Sequence, residues 1–232
     1  MKRPRFLGRR RDLPADVVVE SDAFGSFALT HEVAEEMRLL VRRQDLGSSG
    51  GRVVAICSTV RGEGATFVAR SLAAAVAHDT MTSVCLVDCD WTEAPDENHV
   101  GLAGYLAGLV DPEEFVRKTS LDAFTYVEAG SVPLIKRSPA ANSQALANVI
   151  SELSDEHELV VLDIPAPSDA AHALALAHLA DESILVIRQG GVPIERIEQA
   201  PSDPGEDHVS GVVLNDAKIR PPARPVSPLI AG

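Results

Sequence analysis

The chain has 232 residues, of which 45% are hydrophobic and 24% are charged; this is ordinary for a globular protein and excludes a wholly disordered chain. Aromatic residues make up only 4% of the chain, which argues against an aromatic surface for stacking nucleic-acid bases. The formal net charge is −13 although residues 1–11 carry six Lys/Arg and no acid, so the acidic remainder repels nucleic acid and no nucleic-acid partner is expected.

Residues 1–29 are predicted to form a flexible basic arm, because Pro4, Pro14 and Gly25 interrupt them. No apolar run of signal-peptide length follows the basic residues, and no stretch approaches 18 uninterrupted apolar residues. We therefore expect a cytoplasmic chain. The first helix is predicted at residues 31–44, where apolar residues recur at helical spacing.

From residue 51 onward, apolar strand-like runs alternate with helical patterns, which predicts a parallel sheet with helices on both faces. The predicted strands are residues 52–57, 83–88, 125–128, 159–163, 183–187 and 211–214. The further predicted helices are residues 65–78, 102–109, 112–119, 142–153, 170–179 and 193–199. Residues 30–216 are predicted to form one domain, followed by a Pro-rich tail at residues 217–232.

The three cysteines lie in or beside the apolar runs and do not cluster with histidine. Cys57, Cys85 and Cys89 are therefore predicted to be small core residues of a protein in a reducing compartment. A metal site built from cysteine or histidine is not expected.

The segment with the clearest chemical pattern is residues 53–73, VVAICSTVRGEGATFVARSLA. An apolar strand leads into a glycine-containing turn and then into an alanine-rich helix, which is the context that a phosphate-binding P-loop requires. The glycines let successive N–H groups converge, and the helix N-terminus adds a positive dipole. The residues predicted to contact phosphate are Arg61, Gly62, Glu63, Gly64, Ala65, Thr66 and Phe67.

A common P-loop ends in Gly-Lys-Ser/Thr, whereas here Gly64 is followed by Ala65 and Thr66. Thr66 keeps the hydroxyl that binds Mg²⁺, but Ala65 lacks the ammonium group that contacts the β- and γ-phosphates. One such contact is worth roughly 1.5–3 kcal/mol, or about 10- to 150-fold in affinity. ATP or ADP with Mg²⁺ is therefore expected to bind weakly or not at all, unless Arg61 substitutes for the lysine.

Aspartates end two further predicted strands. Asp88 and Asp90 end the run VCLVDCD, and Asp163 ends LVVLDI. Carboxylates at the carboxyl ends of parallel strands lie at the edge where doubly wound folds bind ligands, and there they can hold Mg²⁺. Thr66, Asp88 and Asp163 are the predicted Mg²⁺ ligands, although an aspartate at a strand end is often only a cap.

Five segments, in order, resemble the cytoplasmic domain of the bacterial tyrosine kinases of capsule and exopolysaccharide synthesis, the CpsD/CapB-like relatives of the ParA/MinD ATPases. They are STVRGEGAT at 58–66, LVDCD at 86–90, GLAGYLAG at 101–108, VVLDIPAP at 160–167 and GVVLN at 211–215. The resemblance covers residues 32–215, and it implies the P-loop NTPase fold, a doubly wound and mostly parallel sheet with helices on both faces.

The resemblance also implies roles and partners. Thr66 takes the Walker A position, Asp88 and Asp90 the Walker A′ positions and Asp163 the Walker B position, while Asn215 lies near adenine. Family members pair with the cytoplasmic segment of a membrane polysaccharide co-polymerase of the Wzz-like type, which places them at the inner membrane through that partner. They can also form homo-oligomers through a helix that residues 35–42 resemble in part.

The chain departs from the family in three ways: Ala65 in place of lysine, a tail without tyrosine, and a last helix shortened by Pro201 and Pro204. The first two argue against tyrosine autokinase activity. The leading hypothesis is a degenerate kinase-like adaptor, a pseudokinase, that regulates exopolysaccharide assembly. The second is a weakly active ATPase or tyrosine autokinase in which Arg61 replaces the lysine. The third is a positioning protein of the ParA/MinD type, suggested by the basic arm.

Overall fold

The computed structural model describes residues 15–46, 50–91, 101–111, 115–191 and 209–217. The strands there are β1 (Ala15–Ser21), β2 (Gly25–Thr30), β3 (Arg52–Ser58), β4 (Val84–Asp88), β5 (Val116–Lys118), β6 (Phe124–Val127), β7 (Leu159–Asp163), β8 (Glu182–Arg188) and β9 (Val209–Asn215). The helices are α1 (His31–Arg43), α2 (Ala65–Thr80), α3 (Gly101–Leu106), α4 (Leu134–Ala141), α5 (Gln144–Glu156) and α6 (Ala173–Ala177).

Seven of the described strands form one sheet in the order β5-β6-β4-β7-β3-β8-β9. Only β5 runs antiparallel, and it lies at one edge beside β6. The central strands are apolar almost throughout, and every residue of β7 is buried, as expected for a parallel sheet covered on both faces. The predicted α/β class, with a mostly parallel sheet, is confirmed.

The helices cover the two faces of the sheet and enclose two apolar cores. Helices α1 and α2 contribute to the core on one face, and α3, α5 and α6 contribute to the core on the other. Helix α2 is rich in alanine, and nine of its residues are buried, so it packs closely against β3, β4 and β7. Cys57, Cys85 and Cys89 are buried free thiols in the cores, as predicted.

The prediction of a flexible arm is wrong for residues 15–29. They form the antiparallel hairpin β1-β2, whose second strand begins at Gly25 with φ +75°. Val17, Val19 and Leu29 are buried in the core beside α1 and α2. The three consecutive valines of β1 favour a strand, and burial of Val17 and Val19 on one face overrides the glycine and proline signals around it. Residues 1–14 lie outside the described residues.

The helix predicted at residues 112–119 is also wrong. Val116–Lys118 is the edge strand β5, paired with β6, and Phe115 beside it is buried. Pairing with β6 provides the backbone hydrogen bonds that a helix would have formed internally. The prediction missed α4 because Pro139 lies inside it and its first residues, Leu134 and Ile135, are exposed.

The remaining predicted elements agree in type, with small shifts at their ends. The helix predicted at residues 170–179 is only the short α6, flanked by turns. The helix predicted at residues 193–199 and the tail from residue 218 onward lie outside the described residues. No helix within the described parts of the chain is both long enough and apolar enough to span a bilayer.

The predicted oligomerisation helix is engaged within the chain. Arg38 of α1 contacts Asp79 of α2, with Nη2 donating to Oδ1 at 3.1 Å, and it also pairs with Glu35 one turn earlier. The guanidinium group lowers the pKa of Asp79. The Arg38–Asp79 contact joins α1 to α2, and Glu35 pairs with the same guanidinium group from within α1.

Candidate functional site

The predicted site residues converge at the carboxyl edge of the sheet. Strands β4 and β7 are parallel neighbours, and their last residues, Asp88 and Asp163, are register partners. Strand β3 lies on the other side of β7 and leads into the glycine loop. A cavity of about 430 Å³ opens there, between the loop, the first turns of α2 and the segments that follow β4 and β7.

The glycine loop has the backbone conformation of a phosphate-binding turn. Gly62 and Gly64 lie at φ +90° and +99°, which side chains with a Cβ rarely adopt. A Cβ at Gly64 would also lie 2.2 Å from Nδ2 of Asn215. Val68 donates its N–H to the Gly64 carbonyl as α2 begins, so the N–H groups that precede it have no partner within the helix.

Glu63 was predicted to contact phosphate, but the structure turns its side chain into the protein. It is 2% exposed. Its Oε2 accepts hydrogen bonds from the N–H and hydroxyl of Thr59, at 2.8 and 2.6 Å, and from the N–H of Val60 at 3.0 Å. Its Oε1 accepts the N–H of Arg188 at 3.3 Å. Glu63 therefore supports the loop from behind and ties it to the end of β8.

Asn215 at the end of β9 also supports the loop. Its Nδ2 donates to the Glu63 carbonyl oxygen at 2.8 Å, and its Oδ1 accepts the N–H of Asp216 at 2.9 Å. Together Glu63 and Asn215 hold the loop against the ends of β8 and β9. The loop shape is therefore fixed by the protein's own contacts.

The first turn of α2 faces the cavity. Ala65, half-buried, begins the helix, and Thr66 and Phe67, both exposed, follow it. All three line the cavity with Gly62 and Gly64. The methyl group at position 65 therefore lies where a P-loop lysine would begin, and it offers neither charge nor hydrogen bond.

The three aspartates lie close together but differ in their contacts. Asp163 and Thr66 both line the cavity. Both oxygens of Asp88 are engaged, because Oδ2 accepts the Tyr126 hydroxyl at 2.9 Å and Oδ1 accepts the N–H of Asp90 at 2.9 Å.

Mg²⁺ prefers carboxylate, hydroxyl and water oxygens as ligands, and the cavity offers the first two. Thr66 and Asp163 already lie together and fit as direct ligands. Asp88 fits better as a support behind them, because its two oxygens are hydrogen-bonded. Within the described residues, no group of three or more His, Cys, Asp or Glu side chains is arranged to hold a metal ion.

Burial and mutual repulsion make the aspartate pair electrostatically unfavourable when ionised. Burial, followed by the charge of Asp88, raises the pKa of Asp163 to about 8. Burial also raises the pKa of Asp88. A second positive charge in the cavity, from a metal ion or a side chain, would favour the ionised forms.

This pair predicts a pH-dependent stability. Because the pKa of Asp163 is higher in the folded state, the folded protein binds more protons between about pH 4 and pH 8, and its free energy of unfolding falls as pH rises through that range. Asp163→Asn removes the ionising group. The free energy of unfolding, measured with urea in the presence of a chelator, should therefore fall less with pH in this variant than in the native chain. The difference between the two should grow by on the order of 2 kcal/mol from about pH 5 to pH 8.5.

The matched control is Asp122→Asn, at an exposed aspartate near β6. Its stability relative to the native chain should not vary over the same pH range. A constant difference between Asp163→Asn and the native chain at every pH would contradict the buried, proton-binding state of this carboxyl group.

Arg61, considered as a substitute for the lysine, lies at the rim of the cavity. Its side chain is 56% exposed. Nη2 lies 3.3 Å from Oδ2 of Asp90, and Nε lies 3.5 Å from Oδ2 of Asp169. Arg61 therefore links the glycine loop to the segments after β4 and β7, and it already pairs with two carboxylates.

Several cavity residues were missed by sequence reasoning. Phe27 of the hairpin lines the cavity and its ring lies 5.8 Å from that of Phe67, a contact between residues forty positions apart. Asp169 follows β7 in a loop with no recognisable motif. Arg70 also lines the cavity; its spacing of four residues from Thr66 on a predicted helix was a usable signal.

No protein-family model and no curated protein matches the sequence, but solved structures match the fold. The BceF tyrosine kinase domain is 24% identical, with a TM-score of 0.66 over 78% of this chain and 76% of that chain. The kinase domain of the Escherichia coli tyrosine kinase ETK is 22% identical, with a TM-score of 0.65 over 82% and 78%. The septum site-determining protein MinD of Pyrococcus horikoshii, in complex with Mg-ADP, is 23% identical, with a TM-score of 0.53 over 70% and 69%.

These likenesses confirm the fold that the sequence resemblance implied. The chain has the P-loop fold that bacterial tyrosine-kinase domains share with MinD ATPases.

Proposed function

We propose that this protein is a degenerate, kinase-like adaptor that regulates exopolysaccharide or capsule synthesis by binding the cytoplasmic segment of a membrane polysaccharide co-polymerase. It acts as a pseudokinase: it keeps the P-loop frame and lacks efficient phosphoryl transfer. It is cytoplasmic and reaches the inner membrane through its partner. The observation that carries the proposal is the methyl group of Ala65 at the start of α2, inside an otherwise intact glycine loop.

Phosphoryl transfer depends on positive charge at the phosphates. The reaction needs stabilisation of charge on the transferred group, which a P-loop lysine and Mg²⁺ provide together. Arg61 is a poor substitute because Asp90 and Asp169 already hold it at the rim. This pairing weighs against the second hypothesis, a weakly active ATPase or autokinase.

The tyrosines also weigh against autophosphorylation. The chain has two, Tyr105 and Tyr126. Tyr126 is 5% exposed and donates its hydroxyl to Asp88, while Tyr105 is half-buried on α3 and packs on Phe115. Neither is a free acceptor of the kind that an accessible tail provides.

The supported frame suits a binding module. Glu63 and Asn215 hold the loop through the protein's own hydrogen bonds, so the fold does not need a bound triphosphate to shape it. The structural neighbours whose names identify tyrosine kinases support placing this binding function in a kinase-related pathway. The specific partner class follows from the motif resemblance.

The proposal is tested by measuring how tightly the full chain binds the cytoplasmic segments of a polysaccharide co-polymerase from the same organism. The segments are presented as surface-immobilised peptides and as purified proteins. The full chain should bind them with the same affinity with and without Mg-ATP. Binding that appears only with Mg-ATP, or phosphorylation of the segment, would contradict the adaptor role. Absence of binding to every co-polymerase segment tested would remove the partner assignment.

A further inference from the structure

Arg70 lies on the cavity face of α2. It follows Thr66 by four residues, which places the two side chains one above the other on the same helix face. Both line the cavity together with Gly62, Gly64 and Ala65. The cavity therefore has a cation on the same helix that would carry the P-loop lysine, five positions further along.

The position of the Arg70 side chain is defined by the hairpin. Its guanidinium carbon lies 5.1 Å from the centre of the Phe24 ring, within the range of a cation–π contact. Phe24 is itself held against Tyr126, with ring centres 5.0 Å apart in an edge-to-face arrangement. The hairpin and strand β6 thus fix the guanidinium group beside the aspartate pair.

Arg70 keeps unsatisfied hydrogen-bonding capacity. Its Nε is buried and has no hydrogen-bond partner within the described residues. A buried donor of a charged group without an acceptor is costly, and such a group in a folded protein calls for an explanation such as a ligand. The guanidinium group lies close enough to Asp88 and Asp163 for its charge to lower the pKa of both.

Arg61 and Arg70 therefore differ in what they can offer a ligand. Arg61 already pairs with Asp90 and Asp169 at the solvent-exposed rim. Arg70 is half-buried, stacks on an aromatic ring and forms no ion pair within the part of the chain that the structure describes. A planar guanidinium group held in this way is suited to bind phosphate oxygens.

We propose that Arg70 is the phosphate-binding cation of this cavity, in place of the lysine absent at position 65, and that the cavity takes a di- or triphosphate group without requiring a divalent cation. The phosphate group belongs either to a nucleotide or to free pyrophosphate. This proposal rests on the same loss of the lysine as the proposed function, and it adds a ligand class to the site. It assigns no catalytic step.

Isothermal titration of the full chain with ADP, ATP and pyrophosphate tests the assignment, with EDTA in one series and Mg²⁺ in the other. The native chain should bind at least one of these ligands in EDTA. Arg70→Met should weaken that binding on the order of 10- to 100-fold, and Arg70→Lys should retain part of it. Equal affinity for ADP and pyrophosphate would identify the phosphates as the recognised group, whereas a preference for the nucleotides would add a base or ribose contact.

The matched control is Arg117→Met, which removes an arginine on the edge strand β5, where it pairs with Glu128. Its affinities should equal those of the native chain. Phe24→Leu removes the ring under the guanidinium group, so it should weaken binding less than Arg70→Met. Ala65→Lys in the Arg70→Met background should restore phosphate binding, which a misfolded variant would not allow.

Three results would overturn the assignment: unchanged affinity in Arg70→Met, a larger loss in Arg61→Met than in Arg70→Met, or no binding of any of the three ligands by the native chain. None of these results contradicts the adaptor role, because binding of a co-polymerase segment is a separate measurement that does not require nucleotide. Conversely, phosphate binding that depends on Arg70 stands even if no co-polymerase segment binds.

Discussion

Ala65→Lys should raise the affinity of the full chain for Mg-ATP by about 10- to 100-fold, since one charge-assisted contact to phosphate is worth roughly 1.5–3 kcal/mol. The loop that would present the new lysine is already shaped, with Gly62 and Gly64 in left-handed conformations and Glu63 and Asn215 holding it from behind. The half-buried Ala65 side chain faces the cavity, so the longer side chain has room to reach it. Titration calorimetry measures the change.

Ala65→Met is the control for this experiment, because methionine adds similar length without the charge. It should leave the affinity at the native level or below it. If lysine and methionine raised the affinity for Mg-ATP equally, the effect would come from packing and not from charge. If lysine did not raise the affinity, the site would have lost more than one cation.

Glu63→Ala should have the largest effect on stability, lowering the free energy of unfolding by about 3 kcal/mol or more. The change leaves the buried N–H group of Thr59 and the partly buried N–H groups of Val60 and Arg188 without their acceptor. For a chain of this size such a loss corresponds to a fall of about 10 °C in melting temperature. Differential scanning calorimetry provides the measurement.

Glu63→Gln keeps one carbonyl acceptor and most of the side-chain volume, so it should lower the melting temperature less than Glu63→Ala does. Glu36→Ala, at an exposed position on α1, should change the melting temperature little. If Glu63→Ala were as stable as Glu36→Ala, the carboxylate would not be the support of the loop.

The parts of this site that are local in sequence were predictable. The apolar run before the glycines, the glycines themselves and the helix after them are contiguous, so the strand–loop–helix unit follows from pattern alone. Asp88 and Asp163 could be placed together because both end buried strands, and parallel strands end at the same edge. The absence of the P-loop lysine is also evident from the sequence of residues 64–66.

The contacts that could not be predicted join residues far apart in the chain. A charged residue in a P-loop is expected to face the ligand, but Glu63 turns inward to the N–H groups of Thr59 and Val60 and to that of Arg188, 125 positions later. Tyr126 reaches Asp88 only because β6 lies beside β4. The hairpin residues Phe24 and Phe27 join the site through tertiary packing that overrides the weak local signal of residues 15–30.

The most direct test of the central claim is the rate at which the full native chain releases phosphate from ATP in the presence of Mg²⁺. The reference is the rate of the Thr66→Ala variant, which lacks the hydroxyl suited to Mg²⁺. A chain that has lost the cation of phosphoryl transfer should release phosphate no faster than Thr66→Ala does. Sustained hydrolysis by the native chain that Thr66→Ala abolishes would contradict the account, because the cavity would then be a working ATPase site despite the alanine at position 65.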